Sequence, residues 1–260
     1  MMKRILLLGY IATMIACTPT KQSTIETTLQ TKVDSILQNK MSEINAISGQ
    51  AIVMDMAGNI KAMVGNGKKQ PSSLMRPISL HKALETGKVH LSDTVDTEEG
   101  IAIINRDTIK DHNWHRGGYG KITLKQGLAC NSSIAVAKAT QMAGVETVDS
   151  LVTPLEMLKL FNGIIKNDSL KSALRYYITD GLGKQASSEK TEVAGFSGRS
   201  TISVDNSEKP EYAVEFIGYF PANAPKYSII VSMNKKGLPA SGGLMAGSVF
   251  KDIVDCMAAK

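Results

Sequence analysis

Residues 192–233 read EVAGFSGRSTISVDNSEKPEYAVEFIGYFPANAPKYSIIVSM. Val193–Phe196, Ser200–Val204, Tyr212–Tyr219 and Tyr227–Met233 alternate apolar with polar residues or run apolar, as half-buried and fully buried strands do. Asn206–Pro210 and Pro221–Pro225 supply turn chemistry between them. This stretch therefore predicts three or four consecutive strands, and their partners must be sought upstream.

Gln50–Val64 provides them. Ala51–Met54 and Ile60–Val64 are apolar runs separated by Asp55-Met56-Ala57-Gly58-Asn59, a hairpin pattern. Before it, Ile25, Leu29, Val33, Ile36, Leu37, Met41 and Ile44 recur at helical spacing, and Gly49 is the expected stop. Gly65–Ser72 reads as a loop and Leu74–Leu84 as a helix with Pro71 just ahead of it. The middle of the chain, about 84–190, reads as mostly helical. It contains one helix over Leu124–Met142, another over Leu155–Ile165 with Pro154 in its first turn, and a loop over Asp111–Gly120. Gly242–Met257 closes the chain as a helix. Strand runs that bracket a helical run predict an α+β fold: an antiparallel sheet flanked by helices, with an inserted all-helical lobe at about 78–190. One domain over 25–260 accounts for the pattern.

The 260 residues are 43% hydrophobic and 21% charged, which suits a globular chain. The net charge of +6 is spread over scattered lysines with no block of five or six, so it reads as solvated faces and gives no nucleic-acid signature. No cofactor motif is present. Lys3 and Arg4 precede an apolar run, Ile5–Ile15, followed by Ala16 and Cys17. This is the layout of a secretory signal over residues 1–16. A Cys after a small residue here resembles the bacterial lipoprotein signal, with Met14 where Leu is more frequent. That resemblance implies lipidation of Cys17, a tether over 17–24, and a place in the cell envelope, exported across the cytoplasmic membrane. Cys130 and Cys256 read as two separate buried thiols. Asp111, His112 and His115 surround Trp114, but no further His or Cys lies at ligand spacing. The segment reads as a surface loop without a metal, and Trp114 as a packing anchor or glycan contact.

Several ordered strings resemble the transpeptidase domain of penicillin-binding proteins, closest to the class B kind of elongation and division. They are Gly49–Asp55 with Gly58–Met63, Pro71–Pro77, Thr153–Met157, Val193–Gly195, and Phe216–Ala222 with Pro225–Tyr227. Together they span about Ile25–Met257. The family's chemistry uses Ser-x-x-Lys, Ser-x-Asn and Lys-Thr-Gly. A serine hydroxyl attacks a carbonyl, a lysine one turn on takes its proton, and the third motif brings positive charge and an oxyanion N–H. Here the first motif falls on Ser73-Leu74-Met75-Arg76, the second on Asn131-Ser132-Ser133, and the third on Phe196-Ser197-Gly198. Ser73 keeps the nucleophile position. Arg76 replaces the lysine and cannot act as a base, because a guanidinium does not deprotonate in proteins. Asn131 and Ser133 invert the second motif. Phe196 removes the charge of the third, while Ser197 and Gly198 keep the hydroxyl and the close backbone approach.

The pattern Ser-x-x-Lys also occurs at Ser79–Lys82, Ser187–Lys190, Ser232–Lys235 and Ser248–Lys251. These are chance matches: Ser248 sits on the closing helix and Ser79 inside the one after Ser73. Two functions follow. The first is a catalytically impaired binding or scaffold lipoprotein at the cell wall, whose partners are peptidoglycan stem peptide or cell-wall synthesis proteins. The alternative is an active serine D,D-transpeptidase or carboxypeptidase that binds β-lactams, with Ser73 as nucleophile and Lys82 or Lys138 as base. A β-lactam hydrolase would need a glutamate for deacylation, and none stands out.

Overall fold

A computed structural model describes residues 24–67, 73–148, 151–203 and 209–259. The leader, Cys17, Pro71, Ser72 and most of the Asn206–Pro210 turn lie outside the described residues. In chain order the elements are α1 (Thr27–Ile44), β1 (Ala46–Asp55), β2 (Ile60–Val64), α2 (Arg76–Glu85), β3 (Thr94–Asp96), β4 (Ile101–Ile104), β5 (Asp107–Lys110), β6 (Lys121–Thr123), α3 (Leu124–Ala129), α4 (Ser133–Ala143), α5 (Pro154–Ile164), α6 (Asp168–Thr179), β7 (Ala194–Ser203), β8 (Glu211–Phe220), β9 (Tyr227–Lys236) and α7 (Gly247–Ala258).

The main sheet has the order β2-β1-β9-β8-β7, and every neighbouring pair is antiparallel. The short β8–β9 turn permits only that direction, since parallel pairing needs a crossover of a dozen residues. Both sheet faces are covered. Phe216 on β8 meets Phe250 of α7, with ring centroids 4.9 Å apart. Tyr219, three residues on and so on the opposite face, meets Phe161 of α5 at 6.1 Å. Leu29, Val33 and Leu37, the helical stripe read from the sequence, are the buried residues of α1.

Four expectations change. Helix α1 stops at Asn45, whose φ of 53° is left-handed and whose N–H donates to the carbonyls of Met41 and Ser42. Gly49 is instead a strand residue where α1 crosses closely: a Cβ there would lie 2.4 Å from Met41 Sδ. The two strands expected between Val193 and Val204 are one continuous β7. The helix expected over Leu124–Met142 is broken into α3 and α4 at Asn131, whose φ is 58°. The inserted lobe is not helical throughout, because β3–β6 and β4–β5 form two small antiparallel pairs within it. The β7 edge of the main sheet packs against α6 and against the turn that carries Ser73. That junction is where the candidate site lies.

Candidate functional site

Ser73 opens a short 3-10 turn, Ser73–Met75, that runs directly into α2, with Pro77 in the first turn of the helix. Leu74 and Met75 are buried, which pins the turn and leaves Ser73 half-buried at the surface. Its Oγ accepts a hydrogen bond from the backbone N–H of Arg199 on β7 at 3.0 Å. Among the described residues no lysine amine hydrogen-bonds Ser73 Oγ.

Arg76 turns the other way. Its Nη1 donates to the Asn131 carbonyl at 2.8 Å and also to Asn131 Oδ1, and its Nη2 donates to Ser133 Oγ at 2.5 Å. The residue types at 131 and 133 thereby suit the guanidinium. A planar fork needs two separated acceptors, and an amide oxygen at 131 with a hydroxyl at 133 supplies them. Burial pulls the Arg76 pKa down to about 10 while the charge of Asp111 works against it, so the group stays a cation at neutral pH. Asn131 Nδ2 in turn donates to the Ser197 carbonyl at 3.4 Å, which ties the helical lobe to β7.

Asp111 holds the start of α4. Its Oδ2 accepts from Ser132 Oγ at 2.6 Å, and its Oδ1 accepts from the N–H groups of Ser133 at 2.6 Å and Ile134 at 3.2 Å. Ser132 Oγ then caps the helix by accepting from Ala135 N–H at 3.0 Å. Asp111 is only 1% exposed, which corrects the reading of 111–120 as a surface loop at that one residue. The rest of the loop is more open. Trp114 is 45% exposed, with Lys110 Nζ 4.9 Å from its ring centroid. His112 meets the Tyr119 hydroxyl at 3.2 Å, and Tyr119 donates to the Cys130 carbonyl at 3.1 Å. Partial burial lowers the His112 pKa, the Asp111 carboxylate opposes this, and the charges of Arg199, Arg76 and Arg116 push it down further. Cys130 and Cys256 are free and half-buried rather than buried. Burial raises the Cys130 thiol to about 11.

The third motif divides. Ser197 and Gly198 line the cleft. Phe196 does not: it is fully buried, its ring 4.7 Å from that of Tyr177 on α6, a correction to its place among the binding residues. The Tyr177 hydroxyl and Ser197 Oγ are hydrogen-bonded to each other. Burial pushes the Tyr177 pKa up to about 12 despite that bond. Gly242 closes the back wall; a Cβ on it would lie 2.3 Å from the Gly198 carbonyl oxygen.

Ser73, Arg76, Asn131, Ser133, Ser197 and Gly198 thus meet in one cleft of about 570 Å3, joined by Lys110, His112 and Arg199. The other serine–lysine pairs are engaged elsewhere. Ser79 is buried and its Oγ accepts from Val148 N–H at 2.9 Å, while Lys82 is exposed. Ser232 donates to Glu215, Ser187 to the Lys184 carbonyl and Ser248 to the Met245 carbonyl. Lys138 donates to the Asp96 carbonyl at 2.6 Å and to Glu98 at 2.7 Å. Sequence reasoning missed Arg199, Tyr177 and the role of Asp111. Arg199 alone carried a signal, as the residue directly after the third motif.

No family model matches the chain, and no curated protein matches it. Solved structures do. The apo TP domain of penicillin-binding protein 3 from Burkholderia pseudomallei superposes with a TM-score of 0.78 at 17% identity, covering 91% of this chain and 95% of that one. A peptidoglycan glycosyltransferase from Burkholderia ambifaria superposes with a TM-score of 0.76 at 18% identity, covering 91% and 96%. The chain has the fold of these proteins over nearly all of its described length.

Proposed function

We propose that this chain is a penicillin-binding-protein-like lipoprotein of the cell envelope that binds peptidoglycan stem peptide in its cleft without acylating Ser73. The observation that carries this reading is the arrangement of Arg76. The residue one helical turn from the nucleophile position spends its donors on Asn131 and Ser133, and it cannot accept a proton. A general base contributes roughly 10²–10⁴-fold to such reactions. The β7 N–H that is suited to stabilise an oxyanion is donated to Ser73 itself. Ser197 is taken up by Tyr177, and the third-motif cation is replaced by a buried phenyl ring. What remains is an open cleft between an edge strand and a helical lobe, a place for an extended peptide to lie.

Two measurements on purified protein test this. Fluorescent penicillin should leave no covalent adduct. A label abolished by Ser73→Ala would establish the active D,D-transpeptidase instead. Purified sacculi should sediment the protein, and Ser241→Trp at the cleft rim should abolish that. Failure to sediment would sink the peptide-binding reading and move the partner to a protein of wall synthesis.

A further inference from the structure

Trp114 is the only tryptophan of the chain, and it does not line the cleft. Its indole is 45% exposed, so of the two roles open to it from the sequence, packing anchor and glycan contact, its position speaks against the first. The backbone beneath it is nonetheless fixed. A Cβ on Gly100 would lie 2.7 Å from Trp114 Cα, and one on Gly118 would lie 2.2 Å from the Gly100 nitrogen, so chain segments touch backbone to backbone there. Trp114 N–H donates to the Asp111 carbonyl at 3.2 Å, and the Asp111 carboxylate is locked to the start of α4. A large apolar ring is thus held toward water on a rigid mount.

The ring does not stand alone. Strand β4 follows Gly100, and its Ile101 and Ile103 are 36% and 77% exposed, while Ala102 and Ile104 turn inward onto α4. Lys110 stands opposite Ile101 across the hairpin, and its Nζ lies 4.9 Å from the indole centroid. Trp114, Ile101 and Ile103 therefore form a strip, and Lys110, which also lines the cleft, joins the two. Single exposed apolar residues are ordinary, but a strip against a cleft rim marks a surface that a ligand covers.

We infer that this strip is a platform for the glycan strand of peptidoglycan, with Trp114 stacking on a sugar ring. The inference rests on the proposed wall-binding function and adds the polysaccharide to the stem peptide as a separate contact. A stem peptide in the cleft is covalently joined to such a strand, so the strand must pass along the rim. A sugar ring with equatorial substituents presents a face of C–H bonds and an edge of hydroxyls. Those C–H groups carry partial positive charge and suit the negative face of an indole. The methyl groups of acetamido substituents can rest on Ile101 and Ile103. The Lys110 ammonium is exposed and can swing from the indole onto sugar oxygens, and His115, edge-on to the indole at 5.9 Å, offers a further polar group. Width favours sugar over protein: three side chains in a row suit a narrow polymer, whereas a stable protein interface takes about 800 Å2 on each side.

With a single tryptophan, the emission of the protein reports on Trp114 alone. Glycan strands stripped of stem peptide are the probe, and dextran, which lacks acetamido groups, is the control. The strands should move the emission saturably to shorter wavelength and dextran should not. In calorimetry Trp114→Ala should weaken strand binding about tenfold, and Trp114→Phe should keep part of the affinity. Neither should change affinity for free stem peptide, which reaches only the cleft. Unmoved emission, or strand affinity that survives Trp114→Ala, overturns the platform. If free stem peptide fails to bind while strands still shift the emission, the stem-peptide reading fails and the platform stands. A photoreactive side chain at position 103 sets sugar against protein in cells. Its crosslinked products should shrink on muramidase digestion; products that only a protease shortens overturn the platform in favour of a docked protein.

Discussion

Arg76 and Asp111 grip residues 131–134 from opposite sides, so each is worth more than its own contacts suggest. Asp111→Ala would leave Ser132 Oγ and two N–H groups without their acceptor in a site from which water is excluded. A hydrogen bond to a charged group contributes about 1.5–3 kcal/mol, and an orphaned buried donor costs a similar amount. Asp111→Ala should therefore lower unfolding stability by roughly 3 kcal/mol, with Asp111→Asn losing less because one oxygen still accepts. Urea titration reads this directly. Combined with Arg76→Ala the losses should not add, since each variant already loosens the segment the other holds. Additive losses would mean the two residues act separately. His112 gives a pH test with a definite sign. Its folded-state pKa is lowered, so the unfolded chain binds the proton more readily. Stability is complete above the unfolded value, about 6.5, and declines as pH falls below it. His112→Gln should flatten that slope between pH 7 and 5 in thermal melts.

At the scale of elements, the break between α3 and α4 was the least legible feature and the one that builds the site. Leu124–Met142 has unbroken helical periodicity, so apolar spacing alone gives one helix. Asn131 in the left-handed region ends α3, and Ser132 recaps the chain as α4. Both residue types favour such junctions, but the signal is short-range and weaker than the stripe around it. The misreading of Gly49 has a similar origin. A glycine demanded by a close helix–strand crossing, as at 49, looks in one sequence like a glycine that ends a helix. Asn131 separates backbone from side-chain effects. Asn131→Gly keeps the backbone angle easy and loses only the Arg76 and Ser197 contacts. Asn131→Ala loses those contacts and adds a left-handed penalty of about 1 kcal/mol. The alanine variant should therefore melt below the glycine variant. A reversed order would show that Asn131 matters through its side chain alone. A second test sits on the back wall. Gly242→Ala must push the 242–246 turn away from β7 and β8, because its Cβ would fall 2.3 Å and 2.4 Å from the carbonyl oxygens of Gly198 and Glu215. Overpacking of this kind costs about 1–3 kcal/mol, and the altered cleft should bind stem peptide more weakly.

For the whole molecule, the antiparallel sheet with an inserted lobe was readable because strand and helix periods alternate in long blocks, and of the residues singled out as motif positions Ser73, Arg76, Asn131, Ser133, Ser197 and Gly198 line one cleft. What the motifs do was not readable. The partners of Arg76 lie 55 and 57 positions away in sequence, and the burial of Phe196 depends on a tyrosine from another element. The same distance between sequence and site bears on where the molecule acts. No helix among the described residues is long and apolar enough to cross a membrane. If the proposed lipid on Cys17 is the anchor, the stretch from Cys17 to Thr24 reaches at most about 25 Å, and a domain of this size is about 45 Å across. The cleft would then be confined to wall material within about 70 Å of the bilayer surface. Cell fractionation should place the protein with membranes, and Cys17→Ser should release it or leave its leader uncleaved. Lengthening the tether with a flexible Gly/Ser insert of about 40 residues should add roughly 35 Å of mean reach. If the cleft works on peptide close to the membrane, in-cell crosslinking to wall peptide should fall in that variant while sacculus binding in solution stays unchanged. Crosslinking that is indifferent to tether length would show that the anchor sets the address of the protein and not the height at which its cleft engages the wall.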